Sequence, residues 1–364
     1  MDLDFLEWRR RPALDLEALE QAARERLDRG VYDYVAGGAD GELTLADNLA
    51  AWRRLRLRPR VLRQVTAVDP TATVLGVPLG SPVAVAPTGY HALLHPEGEA
   101  ATAAGAAAAG SLMVVSTQSN RTVEEVAAAA PEAPRWFQVY VHADRGFTEE
   151  LVGRAAAAGY RALVLTADLQ VLGNRLRDVR NAFGFPPGMV LGNAVGRYGV
   201  EGADLVAHAS RFDPGIDLGT IAWLARCSGL PVLVKGVLRG DEARRCVDAG
   251  AAGIVVSNHG GRQLDTAVAP ADVLAEVVEA VGADVDVLVD GGVRRGSDVL
   301  KALALGARVV LVGRPVLWGL ATGGAQGVAA VLDGLRAELV RAMALCGATR
   351  LEELTSDLVA PAAR

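Results

Sequence analysis

The chain contains 364 residues, its formal net charge at neutral pH is −6, and 51% of its residues are hydrophobic. This composition supplies enough apolar side chains for a large core and excludes global disorder. The acidic balance, with charge spread along the chain, argues against a nucleic-acid-binding surface.

The first eighty residues predict an N-terminal helical segment. Apolar residues recur at helical spacing over 14–29 and again over 43–52. The Gly-rich stretch 31–42, which carries Tyr32 and Tyr34, is interpreted as a break between these two helices.

From residue 83 onward, short β-branched runs alternate with Ala-rich helical stretches. The eight runs are 83–87, 112–116, 136–140, 162–168, 232–236, 253–258, 287–291 and 309–313. Continuous apolar strands followed by helices are typical of a parallel sheet covered on both faces. Eight such units favour a closed (β/α)8 (TIM) barrel over an open doubly wound sheet, for which a GxGxxG motif after the first strand would be expected.

We therefore predict one domain over 1–364. Its parts are the N-terminal segment 1–80, the barrel 81–320 and C-terminal helices over 321–364, with a helix at 325–345 packed outside the barrel. The longest interval between strands, 169–231, follows the fourth strand. Two interpretations of this interval stay open: a lid or binding loop, and a disordered insertion.

The chain shows no sign of export or membrane insertion. Cys227, Cys246 and Cys346 lie far apart, which predicts no disulfide framework and a reducing cytoplasm. Residues 1–12 carry acids where a signal peptide has bases, and we find no uninterrupted apolar run of about 18 residues. No His, Cys or carboxylate group has metal-ligand spacing, so we predict no metal.

Barrel enzymes place their chemistry at the C-terminal ends of the strands. Nearly every predicted strand here ends in polar residues or glycine. The residues at or just beyond these ends are Pro87, Thr88, Gly89, Ser116, Gln138, Tyr140, Thr166, Asp168, Lys235, Ser257, His259, Asp290, Gly291, Gly292, Arg294, Gly313 and Arg314.

The last two strand ends predict an anion site. Residues 290–300 combine glycines and arginines with a helix start at Ser297, and Gly313 and Arg314 follow the final strand. The loops after strands seven and eight of a barrel commonly bind phosphate through backbone N–H groups and a helix N-terminus, and arginine adds bidentate contacts. Surface arginines in two glycine turns are the alternative.

A candidate base follows strand six, where His259 and Arg262 lie three residues apart. Histidine is a natural base near neutral pH and arginine a natural clamp for a carboxylate. Asp168, at another strand end, could hold the imidazolium. A structural histidine is the alternative, but the same mouth also offers Tyr34, Tyr140 and Arg175. The other histidines, His91, His95, His142 and His208, lack such company and are interpreted as structural or surface residues.

Lys235 has two interpretations. It could form a Schiff base, or it could be a fixed positive charge beside an anionic cofactor. The predicted anion site and the pairing of His259 with Arg262 favour the second.

These residues belong to longer strings, including APTGYHALLHPEGE, RWFQVYV, LPVLVKGV, GAAGIVVSNHGGRQLD, VLVDGGVRRGSDVLKALALGA and VLVGRPV. Through them the chain resembles the FMN-dependent 2-hydroxy-acid oxidase and dehydrogenase family, over nearly its whole length. The resemblance implies FMN as cofactor and a small-molecule 2-hydroxy acid as substrate, oxidised to a 2-oxo acid.

The resemblance also implies residue roles. His259 would be the catalytic base with Asp168 as its partner, Arg175 and Arg262 the clamps on the substrate carboxylate, and Tyr34 and Tyr140 substrate contacts. The implied flavin contacts are Pro87, Thr88, Gly89, Ser116, Gln138, Thr166, Lys235 and Ser257. The implied ribityl and phosphate contacts are Asp290, Gly291, Gly292, Arg294, Gly313 and Arg314.

The chain departs from the family pattern at two positions. Gly89 stands where many of the oxidases have Ala, and Gln118 stands where glycolate oxidase has Trp. The departures favour an aromatic substrate of mandelate or 4-hydroxymandelate type over glycolate. The 185–215 loop lacks the apolar character of a membrane-binding segment, which favours a soluble enzyme.

The expected activity is oxidation of an (S)-2-hydroxy acid with O2 as acceptor, giving hydrogen peroxide, by a homo-oligomer of four or eight chains. Four alternatives stay open. They are a dehydrogenase with another acceptor, oxidative decarboxylation as in lactate monooxygenase, a Lys235 lyase, and a flavin-binding protein without turnover.

Overall fold

Eight parallel strands form a closed barrel in a computed structural model that describes residues 14–198 and 211–361. The strands are β1 Val83–Val85, β2 Met113–Ser116, β3 Arg135–Val139, β4 Leu163–Thr166, β5 Val232–Val237, β6 Gly253–Val256, β7 Asp286–Val289 and β8 Val309–Val312. Each strand pairs with the next in chain order, and β8 pairs with β1 through Val310 and Val83. The predicted (β/α)8 barrel is confirmed, with all eight strands at the predicted places.

The strands are continuous apolar runs because both of their faces are covered. Every residue of β2, β3, β4, β6 and β8 is buried. Inward-facing side chains such as Trp136, Val164 and Leu288 fill the barrel. The outward-facing side chains pack against the surrounding helices.

The helices surround this barrel. They are Leu16–Arg26, Arg29–Ala36, Leu43–Arg54, Glu99–Ala108, Val123–Ala129, Arg145–Ala157, Leu176–Arg180, Val195–Tyr198, Gly219–Ser228, Gly240–Asp248, Pro270–Val281, Gly296–Ala304 and Arg314–Leu345. Short 3-10 turns lie at His91–Leu93, His259–Gly261, Leu351–Glu353 and Ser356–Leu358.

The N-terminal segment differs from its prediction in two respects. The expected break at 31–42 begins with a helix, Arg29–Ala36, which ends at Gly37. Its β-branched and aromatic residues are poor helix formers, but Val31, Tyr34 and Val35 are buried, and that packing outweighs local propensity.

The second difference is that the segment contains strands as well as helices. Ala72–Val74 and Val77–Leu79 form a hairpin whose apolar side chains join the core inside the barrel. The N–H of Leu75 donates to Asp286 at the start of β7, so the hairpin covers the end of the barrel opposite the strand C-termini. Leu55–Leu57 pairs with Val359–Pro361. The apolar barrel floor needs a cover, and local helical spacing did not reveal it.

The interval 169–231 between β4 and β5 contains the helix Gly219–Ser228, which completes the βα unit of β4. Residues 199–210, with His208, lie outside the described part of the chain. The preceding stretch packs on the N-terminal helix, because Phe183 stacks on Tyr34 with ring centroids 4.8 Å apart and Asn181 donates to Asp33. This packing favours the binding-loop interpretation for the described residues.

The last helix, Arg314–Leu345, is broken at Gly324 (φ 56°, ψ −139°). The helix packs against Glu99–Ala108 and Leu16–Arg26. In its second part, the predicted 325–345, Ala325 and Val328 lie against Gly105 outside the barrel. By length and composition alone the whole helix could cross a membrane, but 61% of its most apolar window is buried in the fold. Core packing accounts for its apolar character.

The two parts of this helix approach each other closely on either side of the break, and this contact predicts the effect of a substitution on stability. A Cβ added at Gly327 would lie 2.0 Å from the Gly319 carbonyl oxygen, whereas one added at Gly153, inside Arg145–Ala157, meets nothing within 4 Å. We expect Gly327→Ala to destabilise the protein by about 1–3 kcal/mol through overpacking. Gly153→Ala should stabilise it by about 0.5–1 kcal/mol through helix propensity. Thermal unfolding of both holoproteins measures the two shifts, and equal shifts would contradict the close crossing.

Candidate active site

The C-terminal ends of the strands surround one cavity with about 1170 Å³ of empty space, including its open mouth. Most of the predicted site residues line it: Tyr34, Pro87, Thr88, Gly89, Ser116, Tyr140, Arg175, Lys235, His259, Arg262, Asp290, Gly291, Gly292, Arg294, Gly313 and Arg314. Gln138, Thr166, Asp168 and Ser257 lie behind this lining and hydrogen-bond to it or to one another. The structure thus brings all the predicted residues together.

His259 and Asp168 form a hydrogen-bonded pair beside the cavity. The distance between His259 Nδ1 and Asp168 Oδ1 is 2.9 Å, and the His259 backbone N–H donates to Ser257 Oγ over 3.1 Å. His259 has a left-handed backbone (φ 57°), which turns its ring out of the strand direction. With Nδ1–H donating to the carboxylate, Nε2 is the basic nitrogen, and the Tyr140 hydroxyl lies 3.4 Å from it.

Burial governs the protonation of this pair. Burial lowers the pKa of His259 below its usual 6.5, and the Asp168 carboxylate opposes that shift. Burial raises the pKa of Asp168, but the attraction of His259 and Lys235 outweighs it, so this pKa is below its usual value. Burial also raises the pKa of Tyr140. At neutral pH the site holds a neutral imidazole, a carboxylate and a phenol.

Two guanidinium groups lie at Tyr34. The Cζ atoms of Arg262 and Arg175 lie 5.1 and 5.9 Å from the centroid of its ring. Arg262 Nη1 donates to the carbonyls of Tyr34 (2.7 Å) and Gly37 (2.8 Å), at the end of helix Arg29–Ala36. Burial lowers the pKa of Arg262 to about 10.

A second pair of guanidinium groups follows β7 and β8. Arg314 donates to the carbonyls of Val35, Gly37 and Gly260 over 2.8–3.0 Å. Burial lowers the pKa of Arg294 and of Arg314. Within residues 14–198 and 211–361, no carboxylate oxygen lies within 4.0 Å of the side chains of Arg175, Arg262, Arg294 or Arg314. These four cations need an anionic ligand.

The predicted helix N-terminus does not contribute to this anion site. The helix begins at Gly296, and the N–H groups of Arg294 and Arg295 donate to Asp298 while that of Gly296 donates to Glu338. The N–H groups of these three residues are therefore already satisfied. The helix that begins at Arg314 presents its N-terminus to the cavity instead.

The glycines after β7 are required by close packing. Gly292 has φ 78°, and a Cβ there would lie 1.9 Å from the carbonyl oxygen of Asn48. Trp52 Nε1 donates to the Gly291 carbonyl over 2.8 Å. Helix Leu43–Arg54 therefore presses directly on this loop and shapes it.

Lys235 is a buried cation with fixed partners. Its Nζ lies 2.9 Å from Ser257 Oγ and 3.3 Å from Asp290 Oδ2. These contacts hold the Lys235 side chain against Asp290 and Ser257 at the wall of the cavity. The structure therefore favours the interpretation as a fixed positive charge.

Behind the cavity, hydrogen bonds hold the remaining predicted flavin contacts. Ser116 Oγ donates to Gln138 Oε1 and Gln138 Nε2 to Thr166 Oγ1, each over 2.9 Å. His91 is fully buried between Thr88 and Thr102, in keeping with its structural interpretation. In the described ranges no group of three His, Cys, Asp or Glu side chains could hold a metal ion.

Sequence reasoning missed several lining residues as site residues, namely Tyr90, Leu169, Leu172 and Phe212. Tyr90 stands in the string after β1, so position alone could have marked it. Leu169 and Leu172 begin the long interval after β4, and Phe212 lies near its end, so reading that interval as a binding loop would have found them.

The residues present fit FMN. The phosphate of FMN matches a cavity end with Arg294, Arg314, glycine backbone and a helix N-terminus. Its polar flavin edge matches Lys235, whose charge is held by Asp290. The remaining cations, Arg175 and Arg262, lie on the side of His259 and suit a carboxylate.

Comparisons with known proteins agree with this geometry. Residues 23–361 match the family model of the FMN-dependent dehydrogenases. The L-lactate oxidase of Nostoc sp. is 47% identical over 356 residues, which cover 95% of this chain and 98% of that protein.

Solved structures show the same fold. A refolded lactate oxidase of Pediococcus acidilactici has a TM-score of 0.91 and 39% identity, covering 98% of this chain and 97% of its own. A mandelate oxidase variant solved with (S)-mandelic acid has a TM-score of 0.85 and 42% identity, covering 94% and 97% of the two chains. The chain is thus a member of the FMN-dependent 2-hydroxy-acid oxidase and dehydrogenase family, and it is an FMN-dependent oxidoreductase.

Proposed function

We propose that the protein oxidises an (S)-2-hydroxy acid with an aromatic side chain to the 2-oxo acid and passes the electrons to O2, giving hydrogen peroxide. One observation carries the proposal. A neutral, carboxylate-paired imidazole and two guanidinium groups without carboxylate partners among the described residues face the same cavity. This set matches a substrate that is an anion and must lose a proton.

The residues act on different parts of the substrate. Arg175 and Arg262 bind the carboxylate and orient the molecule, and the Tyr34 ring holds both guanidinium groups in place. The α-hydroxyl then lies near His259 Nε2 and the Tyr140 hydroxyl. His259 Nε2 takes the hydroxyl proton, and Asp168 stabilises the imidazolium that forms. Oxidation also removes the α-hydrogen and two electrons, and FMN, when bound, would accept these together.

The walls support an aromatic side chain. Leu169, Leu172 and Phe212 give the cavity an apolar side, and Phe212 stacks on Tyr140 with centroids 4.8 Å apart. The mandelate oxidase similar to this chain was solved with an aromatic hydroxy acid. The oxidase names of that protein and of the lactate oxidases support O2 as acceptor.

The direct test is anaerobic addition of mandelate and lactate to the purified holoprotein. We expect mandelate to bleach the visible flavin absorbance faster than lactate, and air to restore the colour with one peroxide per 2-oxo acid. A bleached protein that air does not reoxidise would indicate another acceptor. Benzoate in place of 2-oxo acid and peroxide would indicate a monooxygenase, and no bleaching by any 2-hydroxy acid would refute the proposal.

The pair of His259 and Asp168 predicts a pH dependence. The base must be neutral, and burial lowers its pKa, so we expect the acidic limb of kcat/KM to lie below pH 6.5. In Asp168→Asn the carboxylate no longer raises this pKa or stabilises the imidazolium. The limb should move to still lower pH, and kcat should fall by about 10²- to 10⁴-fold.

Steady-state kinetics across the acidic range measure both effects. Asp241→Asn, which removes an exposed carboxylate paired with Arg239, is the matched control and should change neither. A wild-type rate and profile in Asp168→Asn would remove Asp168 from the mechanism.

Arg314 provides a test of cofactor binding. Arg314→Met removes a buried guanidinium from the proposed phosphate end, so FMN affinity should fall by about 10- to 100-fold, as expected for loss of a charge-assisted hydrogen bond. Arg308→Met removes an exposed guanidinium paired with Asp286 at the opposite barrel end and should leave affinity unchanged. Quenching of FMN fluorescence by the apoprotein gives both dissociation constants, and equal values would contradict the assignment.

A further inference from the structure

Tyr90 and Gln118 form a hydrogen-bonded pair that no step of the proposed reaction uses. They follow β1 and β2, line the cavity and are only 4% and 8% exposed. Tyr90 Oη donates to Gln118 Oε1 over 2.5 Å, and the Tyr90 backbone N–H donates to the Gln118 carbonyl over 3.0 Å. The two residues therefore form one unit held through both side chain and backbone.

The surroundings fix this unit in place. Tyr90 has a left-handed backbone (φ 61°), and its ring packs on Phe185 with centroids 4.4 Å apart. The Gln118 backbone N–H donates to Ser116 Oγ over 3.1 Å. A Cβ at Gly89 would lie 2.7 Å from Gln118 Cβ, so glycine at 89 lets the segments that follow β1 and β2 approach closely.

The pair leaves one donor that opens to the cavity without a protein partner. Burial raises the pKa of Tyr90, so its hydroxyl stays protonated and directs its proton to Gln118 Oε1. That bond sets the orientation of the amide. Gln118 Nε2 has no hydrogen-bond partner in the described part of the chain. An amide N–H2 group that opens to a cavity can donate to a bound ligand without breaking a hydrogen bond within the protein.

The orientation of the substrate brings its side chain to this donor. Arg175 and Arg262, which bind the carboxylate, follow β4 and β6, and His259 also follows β6. β1 and β2 lie on the other side of the barrel, so a substrate held at those residues extends its side chain towards Gln118. The amide is a neutral donor, which suits a neutral oxygen better than a second carboxylate.

From this geometry we propose that the Tyr90–Gln118 pair recognises a hydrogen-bond-accepting oxygen at the far end of the substrate side chain, as in a para-hydroxyl-bearing aromatic 2-hydroxy acid. The inference rests on the proposed function, because it takes the substrate orientation from it. Gln118 Nε2 donates to the terminal oxygen, and Tyr90 is a positioning residue that orients the amide.

The test compares 4-hydroxymandelate with 4-methylmandelate, which has a methyl group of similar size in place of the hydroxyl. We expect the wild-type holoenzyme to favour the hydroxyl compound in kcat/KM by about tenfold or more. Gln118→Leu should bring the ratio near one, mainly through a higher KM for 4-hydroxymandelate. Tyr90→Phe should lower it partially, and Gln21→Leu, on the exposed face of the first helix, should keep it.

A binding measurement separates this inference from the reaction itself. The 2-oxo acids 4-hydroxyphenylglyoxylate and 4-methylphenylglyoxylate can be titrated into the oxidised holoprotein, and their dissociation constants follow from the change in the flavin spectrum. If the wild type binds the hydroxyl compound more tightly and Gln118→Leu abolishes this preference, the role of the Tyr90–Gln118 pair is supported. This holds even if no hydroxy acid bleaches the flavin, and in that case only the proposed function fails. A ratio of the two dissociation constants near one in the wild type, or an unchanged ratio in Gln118→Leu, overturns the inference. If the enzyme still turns over 2-hydroxy acids, the proposed function is not affected by that result.

Discussion

Positive charge buried at the barrel mouth is the constraint on which the rest of the site depends. Arg262 and Arg314 donate to backbone carbonyls, not to carboxylates. A carbonyl dipole offsets only part of the cost of burying a guanidinium group, so the site is complete only with anions bound. Under the proposed function, the phosphate of FMN and the carboxylate of a 2-hydroxy acid would supply negative charge at these two places. Both should therefore stabilise the fold as well as serve the reaction.

The N-terminal helix connects these two places. The carbonyl of Gly37 accepts from both Arg262 and Arg314, and Tyr34 lies one turn earlier against Arg262 and Phe183. The substrate side and the phosphate side thus share one helix end, which the barrel itself does not contain. Because the Gly37 carbonyl accepts from both Arg262 and Arg314, the N-terminal segment is, under the proposed function, part of the active site and not only a cover for it.

Structural features that depend on the local pattern of apolar and polar residues could be predicted from the sequence. Buried strands appear as continuous apolar runs, and their polar ends mark the mouth, so the barrel and the candidates His259, Asp168 and Lys235 were accessible from sequence. The sequence did not reveal that the N–H group of Gly296 already has an acceptor, because that acceptor, Glu338, lies 42 residues away on another helix. The helix Arg29–Ala36 was missed for a related reason, since burial of Val31 and Tyr34 outweighs weak propensity.

Gly89 shows how such a pairing changes the meaning of a single residue. From sequence, the missing methyl group at Gly89 favours room for a larger, aromatic substrate. In the fold, Gln118 Cβ lies where an alanine methyl would come within 2.7 Å, so much of that room is already filled by protein. Glycine at 89 therefore allows the segments that follow β1 and β2 to approach closely, and the 3.0 Å hydrogen bond from the Tyr90 N–H to the Gln118 carbonyl joins them. Where glycolate oxidase has Trp, Gln118 presents a smaller polar amide to the cavity, so residue 118 changes the chemistry of this wall as well as its size.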